Sequence, residues 1–187
     1  MAEQRGTMKK AVFFDRDGVL VRSLVRDGKP YAARTIEEFE ILPESGGVTR
    51  DLAEAGFPLV VFTNQPDVGN GLVERPVVEE MNRILQRTLS LTAIKVCYHS
   101  QTEGCACRKP KPGMLIEAAS EFDLDLSQSY VVGDRKSDIE AGNAAGCITI
   151  FIDCGYDEPS PENPDIVVDS LTEAADVILK PEGENGA

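Results

Sequence analysis

The sequence predicts an α/β fold with a mostly parallel central sheet flanked by helices. From about Lys10 onward, short apolar runs of buried-strand character alternate with stretches of helical periodicity, the signature of strands joined by helical crossovers. Most of these runs also break off into polar residues able to do chemistry. KAVFF (residues 10–14) is the first such strand and stops at DRDG. Pro43 to Gly56 carries Leu and Val at helical spacing with a stopping Gly, and FPLVVFT (57–63) is the second buried strand. NQPDVGNG (64–71) reads as a loop. A helix begins near Glu74 with Val77, Val78, Met81, Ile84, Leu85, Thr88 and Leu89 on one apolar face. AIKVCYH (93–99) is a strand running into a cysteine-rich loop. Pro112 to Phe122 is helical, SYVVGD (129–134) a strand with a turn, KSDIEAGNAAG (136–146) a helix and CITIFID (147–153) another strand. A last strand and helix span about 165–179. With no internal repeat and no dividing linker, one domain over residues 8–180 is expected, with flexible tails at 1–7 and 181–187.

Composition narrows the function classes. At 42% hydrophobic and 27% charged, a chain of 187 residues can bury a proper core. It has no run of 18 apolar residues, and MAEQRGTMKK lacks a secretion or transit pattern, so a cytoplasmic protein without a membrane span is expected. A formal charge of −13 repels phosphate polymers and anionic membranes, which argues against nucleic-acid or membrane partners. A small anionic metabolite stays open if cations gather in the site. Five cysteines, an odd number, suit a reducing compartment and a metal better than a disulfide framework.

In parallel sheets ligands bind beyond the carboxyl ends of the strands. That rule lines up Asp15 and Asp17, Thr63 and Asn64, Arg108 and Lys109, and Asp134 and Asp138 along one rim. With a single histidine, His99, acid and base work falls to carboxylates. Several aspartates gathered there repel one another unless a divalent cation sits among them, and oxygen ligands suit Mg²⁺. An Asp carboxylate can attack phosphorus once cationic neighbours, Lys109 included, lower the charge on the phosphoryl oxygens. Asp17, in a turn permitted by Gly18, is placed to protonate the leaving oxygen and then to activate water. Taken singly, each residue also has a plain reading. Asp15 fits a turn or helix cap, Asp138 a helix N-terminal residue favoured by the dipole, and Arg135 either a substrate contact or a surface charge.

FFDRDGVL, VVFTN, RKPKPGM and VVGDRKSD together resemble the four motifs of the haloacid dehalogenase (HAD) superfamily of phosphatases, in order, over about residues 10–153. The resemblance implies a Rossmann-like HAD fold, and the segment VLVRSLVRDGKPYAARTIEEFEILPE between the first two motifs and the short cysteine-rich loop are too small to hold a large covering domain. It also implies Asp15 as nucleophile, Asp17 as general acid and base, Thr63 and Asn64 as phosphoryl partners, and Lys109 as charge clamp. Arg108 and Arg135 are further substrate-binding candidates. Asp15, Asp17, Asp134 and Asp138 make up the expected Mg²⁺ site.

Cys97, His99, Cys105 and Cys107 form C-x-H-x5-C-x-C, the ligand number of a closed tetrahedral zinc site. The one-residue gaps require each pair to sit on a tight bend; the alternatives are a reduced surface loop or a Cys105/Cys107 redox pair. Cys147 and Cys154 read as packing or incidental thiols. Within the superfamily the chain is similar to the branch of heptose-bisphosphate and histidinol-phosphate phosphatases, which carries a zinc loop of this form just before RKP. That resemblance makes Zn²⁺ structural and Mg²⁺ catalytic. It implies an enzyme acting on a small phosphorylated metabolite, the 7-phosphate of a heptose bisphosphate on the way to activated heptose for cell-surface polysaccharides; a monomer is expected. Histidinol phosphate or another small sugar phosphate is the alternative, and a zinc-stabilised binding module the non-enzymatic one. One departure stands out: Asn70 in TNQPDVGNG holds a place where many heptose phosphatases carry Arg, which leaves Arg22, Arg26, Arg34 or Arg135 to supply that charge.

Overall fold

The computed structural model describes residues 8–180, so the tails expected at 1–7 and 181–187 lie outside the described residues. The chain opens with β1 (Val12–Phe14), then β2 (Leu24–Arg26) and β3 (Lys29–Tyr31), α1 (Ser45–Glu54), β4 (Leu59–Asn64), α2 (Pro66–Gly69), α3 (Arg75–Thr88) and β5 (Ala93–Cys97). After these come α4 (Gly113–Phe122), β6 (Tyr130–Gly133), α5 (Lys136–Ala145), β7 (Ile148–Ile152), β8 (Ile166–Val168) and α6 (Leu171–Leu179). Six strands form one sheet in the order β5-β4-β1-β6-β7-β8, every neighbouring pair parallel. Strand β1 sits between β4 and β6, where the strand order reverses, so the crevice beyond its carboxyl end opens directly after Phe14.

Burial on both faces explains the near-continuous apolar strands. Val12 and Phe14 of β1 turn to one face, packing with Val48 and Leu52 of α1 and with Leu171, Ala174 and Ile178 of α6. Phe13 turns to the other, against Met114, Leu115 and Ala118 of α4 and Ala141 of α5. Phe13 and Phe62 meet edge to face with centroids 6.4 Å apart, which fixes the floor of the crevice. Among the described residues no helix is long and apolar enough to cross a membrane.

The structure departs from the sequence reading in four places. β2 and β3 pair antiparallel around Asp27-Gly28, both at positive φ (49° and 73°), as a two-residue type I′ turn demands. This hairpin was not expected, because LVR and KPY are too short to show periodicity. Part of the expected loop 64–71 folds into the short helix α2 behind Pro66, whose fixed φ suits a first helical position. Strand β5 ends at Cys97 rather than His99, where the chain bends into the cysteine-rich loop. On α3, Thr88 is exposed, while polar Asn82 joins Val78, Met81 and Leu85 in the buried stripe.

Candidate active site

Three carboxylates meet beyond β1 and β6. One oxygen each from Asp15, Asp134 and Asp138 can be taken within 4.8 Å of the others, and all three residues are buried. Asp15 follows β1, and its backbone N–H donates to Val132 O on β6 at 3.0 Å. Asp134 follows β6, and Asp138 lies in the first turn of α5, where its Oδ2 accepts from the Arg135 N–H at 3.0 Å. Gly18, at φ +96°, makes room for the group: a Cβ there would fall 1.8 Å from Asp134 Oδ2.

Lys109 enters this nest from the loop after β5, with Nζ 2.9 Å from Asp15 Oδ1 and 2.6 Å from Asp138 Oδ1, also donating to Phe62 O at 3.1 Å. Burial works against its charge, but Asp138 and Asp15 outweigh that and its pKa is raised. One ammonium cannot balance three buried carboxylates. Burial, opposed by Lys109 and reinforced by Asp138 and Asp17, pushes Asp15 up to about 6. Burial first, then Asp15 and Asp138, carries Asp134 well above the usual carboxylate range. Apart from the nearby Tyr156 hydroxyl, which works weakly against that rise, neither oxygen of Asp134 has a hydrogen-bond partner among the described residues. A buried carboxylate left so, beside two others, is the chemistry of a divalent-cation site, and the oxygen donor set suits Mg²⁺.

Asp17 stands apart from that trio. Its Oδ2 accepts from Arg16 Nε at 2.9 Å and from Gln65 Nε2 at 2.8 Å, and Gln65 Nε2 also reaches Thr63 Oγ1 at 2.9 Å. The structure thus gathers three of the four carboxylates expected around a cation and ties the fourth to Arg16 and Gln65. Asn64 is turned to the Lys109 backbone, its Oδ1 accepting from Lys109 N at 3.1 Å and its Nδ2 donating to Lys109 O at 3.2 Å. That two-point clamp makes it a holder of the Lys109 loop.

A cavity of about 370 Å³ opens above Asp15 and Asp17. Its wall carries Arg108, Arg135, Arg34 and Lys29. Arg108 Nη1 is buried without a hydrogen-bond partner, the reverse image of Asp134 and a ready anion contact. Arg135 is paired with Glu158 at 2.9 and 2.6 Å and Arg34 with Asp67 at 2.7 Å. Of the arginines expected to replace a charge at position 70, Arg34 and Arg135 reach the cavity wall. Arg22 is instead paired with Glu40 at the surface and Arg26 lies 3.9 Å from Glu38. Asn70 donates to Gln101 Oε1 at 3.1 Å, outside the wall itself. Lys29, Arg16, Gln65 and Asn82 were missed in the sequence. The Asp-Gly pair of the hairpin would have marked Lys29, and Gln65 directly follows the expected Thr-Asn pair.

Beside the Lys109 loop, Cys97, His99, Cys105 and Cys107 close into a second cluster. Cys97 Sγ lies 3.5 Å from His99 Nδ1 and 3.6 Å from Cys105 Sγ; Cys107 Sγ lies 3.3 Å from His99 Nδ1 and 3.5 Å from Cys105 Sγ. A tetrahedron with Zn–S bonds of about 2.3 Å has edges of roughly 3.8 Å, so these separations fit four ligands to one ion. Burial above all, then the Cys107 thiol, pushes Cys97 up to about 12, so a metal arriving there must displace its proton, whereas Cys105 is shifted down. Lys111 Nζ donates to the carbonyls of Gly104 and Cys105 at 3.1 and 2.8 Å, closing the loop just beyond Arg108 and Lys109.

Comparison with known proteins agrees with this architecture. A family model described as HAD-hydrolase-like matches residues 106–174. The chain is 31% identical to D-glycero-beta-D-manno-heptose-1,7-bisphosphate 7-phosphatase of Pseudomonas aeruginosa, the alignment covering 92% of this chain and 99% of that protein. It is 32% identical to the D-glycero-alpha-D-manno-heptose-1,7-bisphosphate 7-phosphatase of Mycobacterium tuberculosis, with both chains fully covered. The crystal structure of D,D-heptose 1,7-bisphosphate phosphatase from B. bronchiseptica, complexed with magnesium and phosphate, superposes with a TM-score of 0.77 at 30% identity, covering 91% of this chain and 98% of that one. With the strand-end carboxylates, the buried lysine and relatives of this likeness in hand, the chain belongs to the HAD superfamily of phosphatases, in the same family as these heptose-bisphosphate phosphatases.

Proposed function

We propose that this phosphatase removes the 7-phosphate of D-glycero-D-manno-heptose 1,7-bisphosphate by way of an aspartyl-phosphate on Asp15. The observation that carries the reading is the buried Asp15, Asp134, Asp138 and Lys109 group at the floor of a cation-lined cavity, in a chain whose relatives carry that activity in their names. Asp15 Oδ1 is engaged by Lys109 and by the Arg16 N–H at 2.7 Å, which steadies the carboxylate while Oδ2 is free to attack phosphorus. The bond from phosphorus to the sugar oxygen breaks, its electron pair passes to that oxygen, and Asp17 supplies the proton. Water then attacks the acyl phosphate, gives its proton to Asp17, and returns Asp15 as a carboxylate with inorganic phosphate released. Lys109, and Arg108 through its free Nη1, hold the phosphoryl oxygens.

Asp15, Asp134 and Asp138 are the residues that would hold Mg²⁺ or stand next to it, and when bound the ion supplies charge neutralisation for attack by one anion on another. Cys97, His99, Cys105 and Cys107 would hold a structural Zn²⁺ that pins the loop delivering Arg108 and Lys109. The working unit in this reading is a cytoplasmic monomer whose single domain covers residues 8–180.

The test is phosphate release, with Mg²⁺ and with EDTA, from both anomers of the heptose bisphosphate and from histidinol phosphate, with Asp15→Asn as the blank. Mg²⁺-dependent preference for a bisphosphate anomer is the expected result. Preference for histidinol phosphate, or equal slow hydrolysis of all three, sinks the substrate assignment. No Mg²⁺-dependent release from any of them sinks the mechanism as well.

A further inference from the structure

Arg16 separates the two working aspartates in sequence, yet it is the bulkiest of the fully buried side chains. Every guanidinium nitrogen is engaged. Nε donates to Asp17 Oδ2 at 2.9 Å, Nη2 to Asp17 Oδ1 at 3.3 Å and Nη1 to Asn82 Oδ1 at 2.8 Å, while the group lies 5.4 Å from the Phe39 ring centroid. Asn82 is the polar residue that interrupts the apolar stripe of α3, and this contact explains its burial. Gln65 completes the arrangement with its 2.8 Å bond to the same Oδ2. The two oxygens of Asp17 are therefore unlike. Oδ2 receives two well-formed hydrogen bonds and Oδ1 a single long one. An oxygen whose lone pairs both accept N–H donors is the poorer seat for a proton.

We propose that Arg16, anchored on Asn82, is a positioning residue that with Gln65 selects Oδ1 of Asp17 as the atom exchanging the proton in both half-reactions. The inference rests on the reading of Asp17 as general acid and base. A planar fork that spans Asp17 and Asn82 at once cannot be reproduced by a lysine, whose ammonium is a point charge. Freeing the fork from Asn82 leaves the charge in place but lets Asp17 turn.

The experiment compares kcat/KM on two esters: the sugar phosphate that the wild-type enzyme turns over, and p-nitrophenyl phosphate, whose leaving group departs without a proton. kcat/KM reports formation of the acyl phosphate alone, so the second, water-activating step does not blur it. Asn82→Leu and Arg16→Lys should each lower kcat/KM for the sugar phosphate by about 10-fold or more through kcat, with KM within about twofold, and change the aryl ester by less than about threefold. Asp17→Asn is the control for the underlying reading. If it depresses both esters equally, Asp17 is not the acid and that reading falls. If it discriminates between the esters while Asn82→Leu and Arg16→Lys do not, the positioning role of Arg16 is overturned. Should Arg16→Lys fail to fold, Asn82→Leu, which keeps the buried cation with its Asp17 partner, decides alone.

Discussion

The two clusters beside Lys109 are built on opposite principles. The carboxylates of Asp15, Asp134 and Asp138 are carried by strand ends and a helix start, and sheet packing holds them together although they repel one another. The side chains of the second cluster leave β5 and continue through residues 98–107, a stretch with no regular element, held by their own contacts and by bonds such as those from Lys111 to Gly104 O and Cys105 O. A cation entering the first cluster relieves a repulsion already present in a finished scaffold. In the second, on the proposed reading, a metal would complete the scaffold. Ligand removal should therefore have opposite consequences: in the acidic cluster it abolishes chemistry and spares the fold, in the thiol cluster it weakens the fold and loosens the chemistry.

The largest effect expected from this contrast is on turnover. Asp15→Asn should lower kcat by about 1,000-fold or more while leaving the metal-free melting temperature unchanged or higher, since one repelling charge is gone. A large fall in stability would break the distinction between the clusters. Next comes Cys105→Ser, expected to empty the thiol cluster of zinc and to lower Tm by roughly 10 °C, because metal binding contributes folding energy. Unchanged zinc content and Tm would show that the loop is held without metal. Asn64→Ala tests the joint between the regions. Losing both bonds to the Lys109 backbone should cost about 1–2 kcal/mol of stability and about 10-fold in kcat, read by thermal unfolding and steady-state kinetics.

A smaller effect separates the regions by pH. Asp15 is raised from 3.8 to about 6, burial being the leading cause. For a raised carboxylate, the stability contributed by the protonated form is complete below 3.8 and lost as pH climbs through about 6. In EDTA the protein should lose stability across that window, and the Tm increment from Mg²⁺ should grow across it, since the ligands bind deprotonated. An increment flat in pH would mean that Mg²⁺ does not enter this cluster. The smallest expected effect is at the hairpin wall, where Lys29→Ala should raise KM for a bisphosphate about threefold with kcat unchanged. An equal rise for a monophosphate would remove Lys29 from recognition of a second anion.

Much of this was legible beforehand for a definite reason. The strand around Phe13, the helix carrying Met81 and the ligand spacing from Cys97 to Cys107 are written in periodicities and intervals of a dozen residues or fewer. The acidic residues at strand ends became candidates because parallel topology sends every strand end to one rim. The hairpin at Asp27-Gly28 escaped because its strands are three residues each. Asn82 escaped because its neighbours made a polar residue there look like a mere interruption.

By itself, then, the sequence determined the α/β class, the residue types at the rim and the four members of the thiol cluster, all local matters of pattern and spacing. Only the tertiary structure decided how those residues divide their work. It drew Asp17 out of the carboxylate cluster toward Arg16 and Gln65, turned Asn64 onto Lys109, and chose Arg34 and Arg135 over Arg22 and Arg26 for the cavity wall. Those choices join residues 48 and 66 positions apart in the Gln65–Asp17 and Arg16–Asn82 bonds. A side chain's partner at that distance is set by how the crossovers stack on the sheet and how buried charges find counterions, and neither is carried by local pattern.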